Sequence, residues 1–392
     1  MADHIPFITS VEGLGLARKL YGDSQILRVP LDRAEKLKLK DPGKLWLDPC
    51  VDGLDNLEKR RGAPDKKNSW FEFMKDLPHF HAIGTPSHQA NPVDREVDAF
   101  VRTVLDRCAA YNPAWITVPQ LPVVDGSDRN NINGEMATAT GEWRRTHGFS
   151  GRFILPLVFT NQRQINLKTA RNPKVQQAER CYEKAQADGF WVVDKTLPDD
   201  NGSPTLGQRR FPGLIALHKE LNARISAKIT IAGPYWALNV VLWARGLVDF
   251  PAIGVGSGYQ YFLAGSMAQK AKATLMLKPL RRRVDVGPEL RTWLDTTTAK
   301  LAPTHPAYAE FSDIKKRYTL LRAEDVAKEQ VARSYKQWFD LIAAIPQAGR
   351  SMALYQDLSS AYALGKSLSD FENEGTARRP EAVAESLMLS CL

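Results

Sequence analysis

Between residues 112 and 260 short apolar runs alternate with amphipathic stretches, and this alternation constrains the fold more than any other feature of the chain. A buried run followed by a helical stretch is a βα unit, and several in succession build a parallel sheet. Trp115-Ile116-Thr117-Val118 reads as a strand closed by Pro119 and Pro122, with a helix over Glu135 to Arg145. Phe153 to Phe159 is the next strand, although Pro156 fits poorly inside a central strand. After Pro173 a helix carries Val175, Ala178, Tyr182 and Ala185 on one face and stops at Gly189. Phe190-Trp191-Val192-Val193 then delivers Asp194 and Lys195 at its carboxyl end. The unit recurs after the polar loop Asp199 to Gln208, which reads as mobile. A helix near 212–224, the strand Ile229 to Ala232, a helix striped by Trp236, Val240, Trp243 and Leu247, and the strand Phe250 to Val255 follow.

Upstream, Lys44 to Asp48 and His81-Ala82-Ile83-Gly84 read as strands, with a helix at about 94–110. The pattern predicts a (β/α)8 barrel starting near residue 20, in preference to an open sheet. Past about 300 the strand signals stop, and Val331, Tyr335, Trp338, Phe339, Ile342 and Ile345 fall at helical spacing, with a second helix over about 350–366. The expected division is a barrel domain over 1–300 and a helical extension over 301–392. That extension either packs on the barrel or closes a homodimer.

Composition bears on what such a barrel does. An apolar share of 43% supports a large core and excludes a disordered chain, and no run approaches the roughly 18 apolar residues of a membrane span. The start, MADHIPFITSVEG, lacks a basic region followed by an apolar stretch, which places the protein in the cytoplasm, not on a membrane. Cys50, Cys108, Cys181 and Cys391 are too widely spaced for a local CxxC motif and read as reduced thiols. Lysine and arginine total 53 against 44 acids, and the net charge of +9 favours a polyanionic partner such as a nucleic acid or nucleotide.

Barrel chemistry sits at the carboxyl ends of strands. That rule nominates Asp48, with Asp52 in the following turn, then Asp194 and Lys195, Gln120 after Ile-Thr-Val-Pro, and Tyr235 after Ala-Gly-Pro. Two carboxylates in unlike environments suit acid/base and nucleophilic work at an anomeric carbon, a role that fits Asp48 with Asp194. The same residues serve equally as a helix cap and a scaffold ion pair. Lys195 is either a Schiff-base lysine or a salt-bridged surface residue. The turn Gly254-Val255-Gly256-Ser257-Gly258-Tyr259 can approach a phosphate through its backbone N–H groups, or simply pack. Downstream, Lys270, Lys272, Lys278, Arg281, Arg282 and Arg283 concentrate positive charge and form the candidate phosphate or nucleic-acid face. The histidines complete no metal-ligand motif, so neither a metal nor another cofactor is expected, and there is no G-x-S-x-G elbow.

The order of segments resembles the tRNA-guanine transglycosylase superfamily, including its relatives that insert modified bases into DNA. Leu45-Trp46-Leu47-Asp48 with Gly53 is similar to the family strand that ends in an acid/base Asp before a glycine turn. Ala187 to Val193 is similar to the passage into a substrate-binding loop, Ala244 to Phe250 to the helix end before the nucleophile-bearing strand, and Met352 to Leu358 to the C-terminal helix. Together these cover about half the chain in the family's order. Two features depart from it: the cysteine-rich zinc motif is missing, and Pro251 or Gly256 stands where the family has its nucleophilic Asp.

The expected function is therefore a transglycosylase- or glycosidase-type enzyme acting on a base of tRNA, DNA or a nucleotide. Asp48 would be the acid/base, Asp194 the second carboxylate, and Gln120 and Tyr235 readers of the base. The alternatives are a barrel lyase or aldolase working on a small phosphorylated metabolite through Lys195, and a catalytically silent barrel that binds nucleic acid. The sequence leaves RNA, DNA and free nucleotide undistinguished.

Overall fold

In the computed structural model, eight parallel strands close into a barrel in sequence order, β8 pairing back onto β1 through Ile5 with Ala252 and Phe7 with Gly254. The structure describes residues 4–391 except 9–10, 23–24, 40–43, 57–68, 124–126, 161–164, 166–172, 196, 198–203, 236, 256–272 and 374–375. The first units are β1 (Ile5–Ile8), α1 (Val11–Tyr21), β2 (Leu27–Pro30), α2 (Leu31–Leu37) and β3 (Leu45–Asp48). After β3 a 3-10 turn over Val51–Asn56 leads to α3 (Ser69–Lys75), α4 (Phe80–Ile83), α5 (Pro86–Ala90) and α6 (Asp94–Ala109). The barrel continues through β4 (Trp115–Thr117), α7 (Ser127–His147), β5 (Arg152–Phe159), α8 (Pro173–Lys184) and β6 (Gly189–Asp194). It ends with α9 (Pro204–Arg224), β7 (Ile229–Ala232), α10 (Leu238–Ala244) and β8 (Phe250–Val255).

Strand alternation explains the two cores. Inward-facing Phe7, Trp46, Trp115, Trp191, Ile154 and Ile231 fill the barrel, while Leu47, Ile116, Leu155, Val192 and Ile253 point outward to the helices. Pro156 does sit in a central strand, opposite Trp191, where it forgoes one ladder donor. Gly189 is required by close approach, since a Cβ there would lie 2.4 Å from the Ile229 carbonyl oxygen.

Several expectations need correction. The barrel begins at Ile5, not near residue 20, because β1 and β2 each contribute only four residues. Residues 81–83 are helical, with Phe80 and Ile83 buried at a spacing of three, as one helix face requires. Within the stretch read as a loop, Pro204–Gln208 begin α9 and residues 199–203 lie outside the described residues. Trp236, placed on the stripe of α10, also lies outside them.

Beyond β8 an antiparallel hairpin, β9 (Thr274–Leu277) and β10 (Arg282–Asp285), precedes the C-terminal helical extension of α11 (Pro288–Lys300), α12 (Pro306–Leu321), α13 (Glu324–Ala343) and α14 (Gln347–Ser367). A short hairpin, β11 (Phe371–Asn373) with β12 (Thr376–Arg378), leads to α15 (Ala382–Cys391). Strand pairing thus resumes past residue 300, contrary to the sequence reading. The stripe Val331, Tyr335, Trp338, Phe339 and Ile342 joins the barrel's outer core, so this face of α13 packs within the chain and is not free for a dimer contact. Leu275, Leu277, Leu290, Trp293, Phe311 and Ile314 form a separate core that spans residue 300. Among the described residues no helix is long and apolar enough to cross a membrane.

Candidate functional site at the barrel mouth

Alternation decides where each strand-end residue points. On β2, Leu27 and Val29 face the helices, which turns Arg28 inward. On β3, Trp46 fills the barrel while Leu45 and Leu47 face out, so Asp48 also points into the mouth. The register sets Trp46 beside Arg28 and Asp48 beside Pro30, and Arg28 reaches forward to meet Asp48. Its Nε donates to Asp48 Oδ2 at 3.0 Å, and a second, shorter bond runs from its terminal Nη2 to the same oxygen. The pair is buried, with 3% of the arginine and 2% of the aspartate side chain exposed. Beneath it the guanidinium lies 5.0 Å from the centre of the Phe7 ring and 5.7 Å from that of Trp191. Trp46 is fixed by its indole N–H, which donates to Thr117 Oγ1 at 2.8 Å.

The other Asp48 oxygen, Oδ1, accepts the Cys50 backbone N–H at 2.8 Å. Cys50 adopts a positive φ of 54°, a left-handed conformation uncommon for a residue with a Cβ, and its carbonyl accepts the Trp70 indole N–H at 3.1 Å. Arg28 Nη2 also lies 3.2 Å from the Cys50 sulfur. Burial, reinforced by the charge of Asp48, pushes the Cys50 thiol well above its usual range. Asp52 is buried in the 3-10 turn that follows. Asp48 is thus held on both oxygens, by the Arg28 guanidinium on one and the Cys50 N–H on the other.

Asp194 is arranged differently. Trp191 and Val193 face the barrel interior, while Phe190 and Val192 face the helices, so the alternation turns Asp194 outward. There its Oδ2 accepts Arg210 of α9 at 2.9 Å. The alternation therefore puts Asp48 and Asp194 on opposite faces of the barrel wall. Tyr235 braces the same strand end: its hydroxyl accepts the Asp194 N–H at 2.8 Å and donates to the Val192 carbonyl at 3.1 Å. Lys195 sits in the turn beyond, its backbone N–H on the Phe159 carbonyl.

Gln120 is buried after β4, where its amide donates to the Asn133 carbonyl at 2.9 Å. Gly254 is the inward position of β8 opposite Phe7, whereas Gly256, Ser257 and Tyr259 lie outside the described residues, as do Lys270 and Lys272. The basic run is built into the extension. Lys278 pairs with Glu310 at 2.9 Å, and Arg281 forks onto Asp357 of α14 at 2.6 and 2.8 Å with its guanidinium 5.3 Å from the Trp338 ring. Arg282 donates to the Arg379 carbonyl, and burial pushes Arg283 down to about 9. Arg281 ties the hairpin to α14, Arg282 and Arg283 are buried, and the run does not form a solvated face. Among the described residues no group of three or more His, Cys, Asp and Glu side chains is placed to hold a metal ion.

Sequence reasoning missed Arg28 and Arg210, and it placed Cys50 in the turn at the mouth without its contacts to Asp48 and Arg28. A charged residue inside the run Ile26-Leu27-Arg28-Val29 was the available signal for the first, since a buried cation needs a partner.

The architecture and its mouth define a (β/α)8 barrel, a fold that often carries enzymes and that fixes where chemistry sits without naming it. Neither a protein-family model nor a curated protein matches the chain.

Proposed function

We propose that the chain acts on the glycosidic bond of a base in a nucleic acid or nucleotide, with Asp48 as the working carboxylate. The observation that carries this reading is Asp48 at the carboxyl end of β3, the place where barrel enzymes hold reacting groups, gripped by Arg28 reaching up from within β2. A carboxylate held by a guanidinium and a backbone N–H is preorganised to face positive charge developing at an anomeric carbon. This geometry suits a charge-stabilising role better than a proton-donating or nucleophilic one, because both oxygens already accept hydrogen bonds. The net charge of +9 and the segment order that resembles the transglycosylase superfamily support a polyanionic substrate.

The outward direction of Asp194 removes it from the proposed chemistry and favours a second reading, a barrel that binds nucleic acid without cleaving it. One experiment separates them. Purified protein is incubated with tRNA, duplex DNA, single-stranded DNA and mononucleotides across a salt series, and both binding and released free base are measured. Free base from one of these supports the proposal. Salt-sensitive binding with no base released selects the second reading, and neither binding nor release overturns both.

A further inference from the structure

The least expected group in the mouth is Arg28, a fully enclosed cation on a strand that otherwise supplies only apolar side chains and a proline. We infer that Arg28 is the positioning residue of the reaction proposed above, acting through Asp48; the inference rests on that reading. Three observations converge on it. Its fork reaches both Asp48 Oδ2 and the Cys50 sulfur, so one side chain sets the carboxylate and the turn that supplies the other donor. The Phe7 and Trp191 rings lie against the guanidinium, 5.0 and 5.7 Å from it, and they are themselves fully buried. Cys50 is kept in its left-handed conformation, which costs free energy and must be held by its surroundings. Releasing Arg28 would let the carboxylate rotate and the turn relax, and a displacement of an ångström at a reacting group costs about 100-fold in rate.

The test compares wild type, Asp48→Asn, Arg28→Met and Arg28→Lys in the base-release assay, using whichever of tRNA, duplex DNA or single-stranded DNA the wild type attacks. Rates are normalised to folded protein by circular dichroism. Arg28→Met should lower kcat about 100-fold while KM stays within about threefold, because the group acts through Asp48 and not on the substrate. Arg28→Lys keeps the charge but cannot fork, so it should recover part of the loss and remain about tenfold below wild type. A purely structural arginine would lower the melting temperature and leave kcat per folded molecule unchanged, which overturns the inference. If Arg28→Met does not fold, Arg28→Lys decides: wild-type kcat overturns the inference, a tenfold loss at constant KM supports it. Wild type without base release, or a folded and active Asp48→Asn, defeats the proposed function itself. Loss in Asp48→Asn with unaffected Arg28 variants defeats this inference alone.

Discussion

Acidification should destabilise this protein well before its carboxylates titrate, because two histidines are buried without hydrogen-bond partners. His218 on α9 and His4 just before β1 both have ring nitrogens with no partner, and burial lowers each from 6.5 to about 3; the charge of Lys336 adds to the effect at His4. Each folded-state value lies below the unfolded one, so between these limits the unfolded chain binds more protons and stability falls with falling pH. The contribution is intact above pH 6.5 and is lost as pH drops toward 3. One pH unit well inside this window is worth about 1.4 kcal/mol per group, so lowering pH from 6.5 to 4.5 removes roughly 2 kcal/mol per histidine and roughly 4–5 kcal/mol for both. That compares with a total stability of about 5–15 kcal/mol for a typical domain. Glu329, held low by Lys19 and Arg333, and Asp295, held low by Lys315, lose their stabilisation only at still lower pH, which leaves this window to the histidines. The assay is urea unfolding followed by tryptophan fluorescence at half-unit steps from pH 8 to 4.5. His218→Leu and His4→Phe, which preserves the packing on Tyr21 and Phe339, should each halve the slope, and the double variant should flatten it. A wild type of constant stability across the window, or a double variant that keeps the full slope, would refute the reasoning.

Other expectations follow from packing. Gly365→Ala should cost about 1–3 kcal/mol, because a Cβ there would sit 2.6 Å from the Glu381 backbone where α14 crosses α15, whereas exposed Gly15→Ala in α1, with nothing within 4 Å, should gain about 0.5–1 kcal/mol. Thermal melts of the two variants moving in the same direction would contradict this. Replacing Arg281, Arg282 and Arg283 together with alanine should lower the melting temperature and leave the salt dependence of polyanion binding unchanged, since Arg281 is spent on Asp357 and the other two are buried; a flattened salt slope with an unchanged melt would argue the reverse. All four thiols are buried, with Cys50 and Cys108 pushed well up by burial and Cys181 and Cys391 pushed up to about 12. Native protein should therefore show no fast reaction with a chromogenic disulfide at pH 8, and one rapid equivalent would count against the buried placement of Cys50.

The legible parts of the fold were those where periodicity had room to show itself. Six of the eight strands, from Leu45–Asp48 to Phe250–Val255, stand out as apolar runs with turn residues after them. Ile5–Ile8 and Leu27–Pro30 do not, because four residues that include a proline carry no usable period and Arg28 breaks the apolar run of the second. The hairpins beyond β8 were hidden because their strands are only three or four residues long. At the site, the strand-end rule found Asp48 but could not supply direction: Asp194 is equally a strand end, and only the alternation on β6 shows that it faces the helices. Local charge was the weakest guide. Arg281 to Arg283 look like a polyanion face in sequence, yet their partners, Asp357 and the Arg379 carbonyl, lie 76 and 97 residues away.

Asp48 is the proposed working group of the mouth, and the most direct measurement is free-base release from the preferred polynucleotide by wild type and by Asp48→Asn, each confirmed folded by its near-ultraviolet circular dichroism. Wild type should release base, and the folded variant should lose about 100- to 1,000-fold in rate, the scale expected when a transition-state electrostatic partner is removed. A folded Asp48→Asn protein releasing base at the wild-type rate would contradict that role.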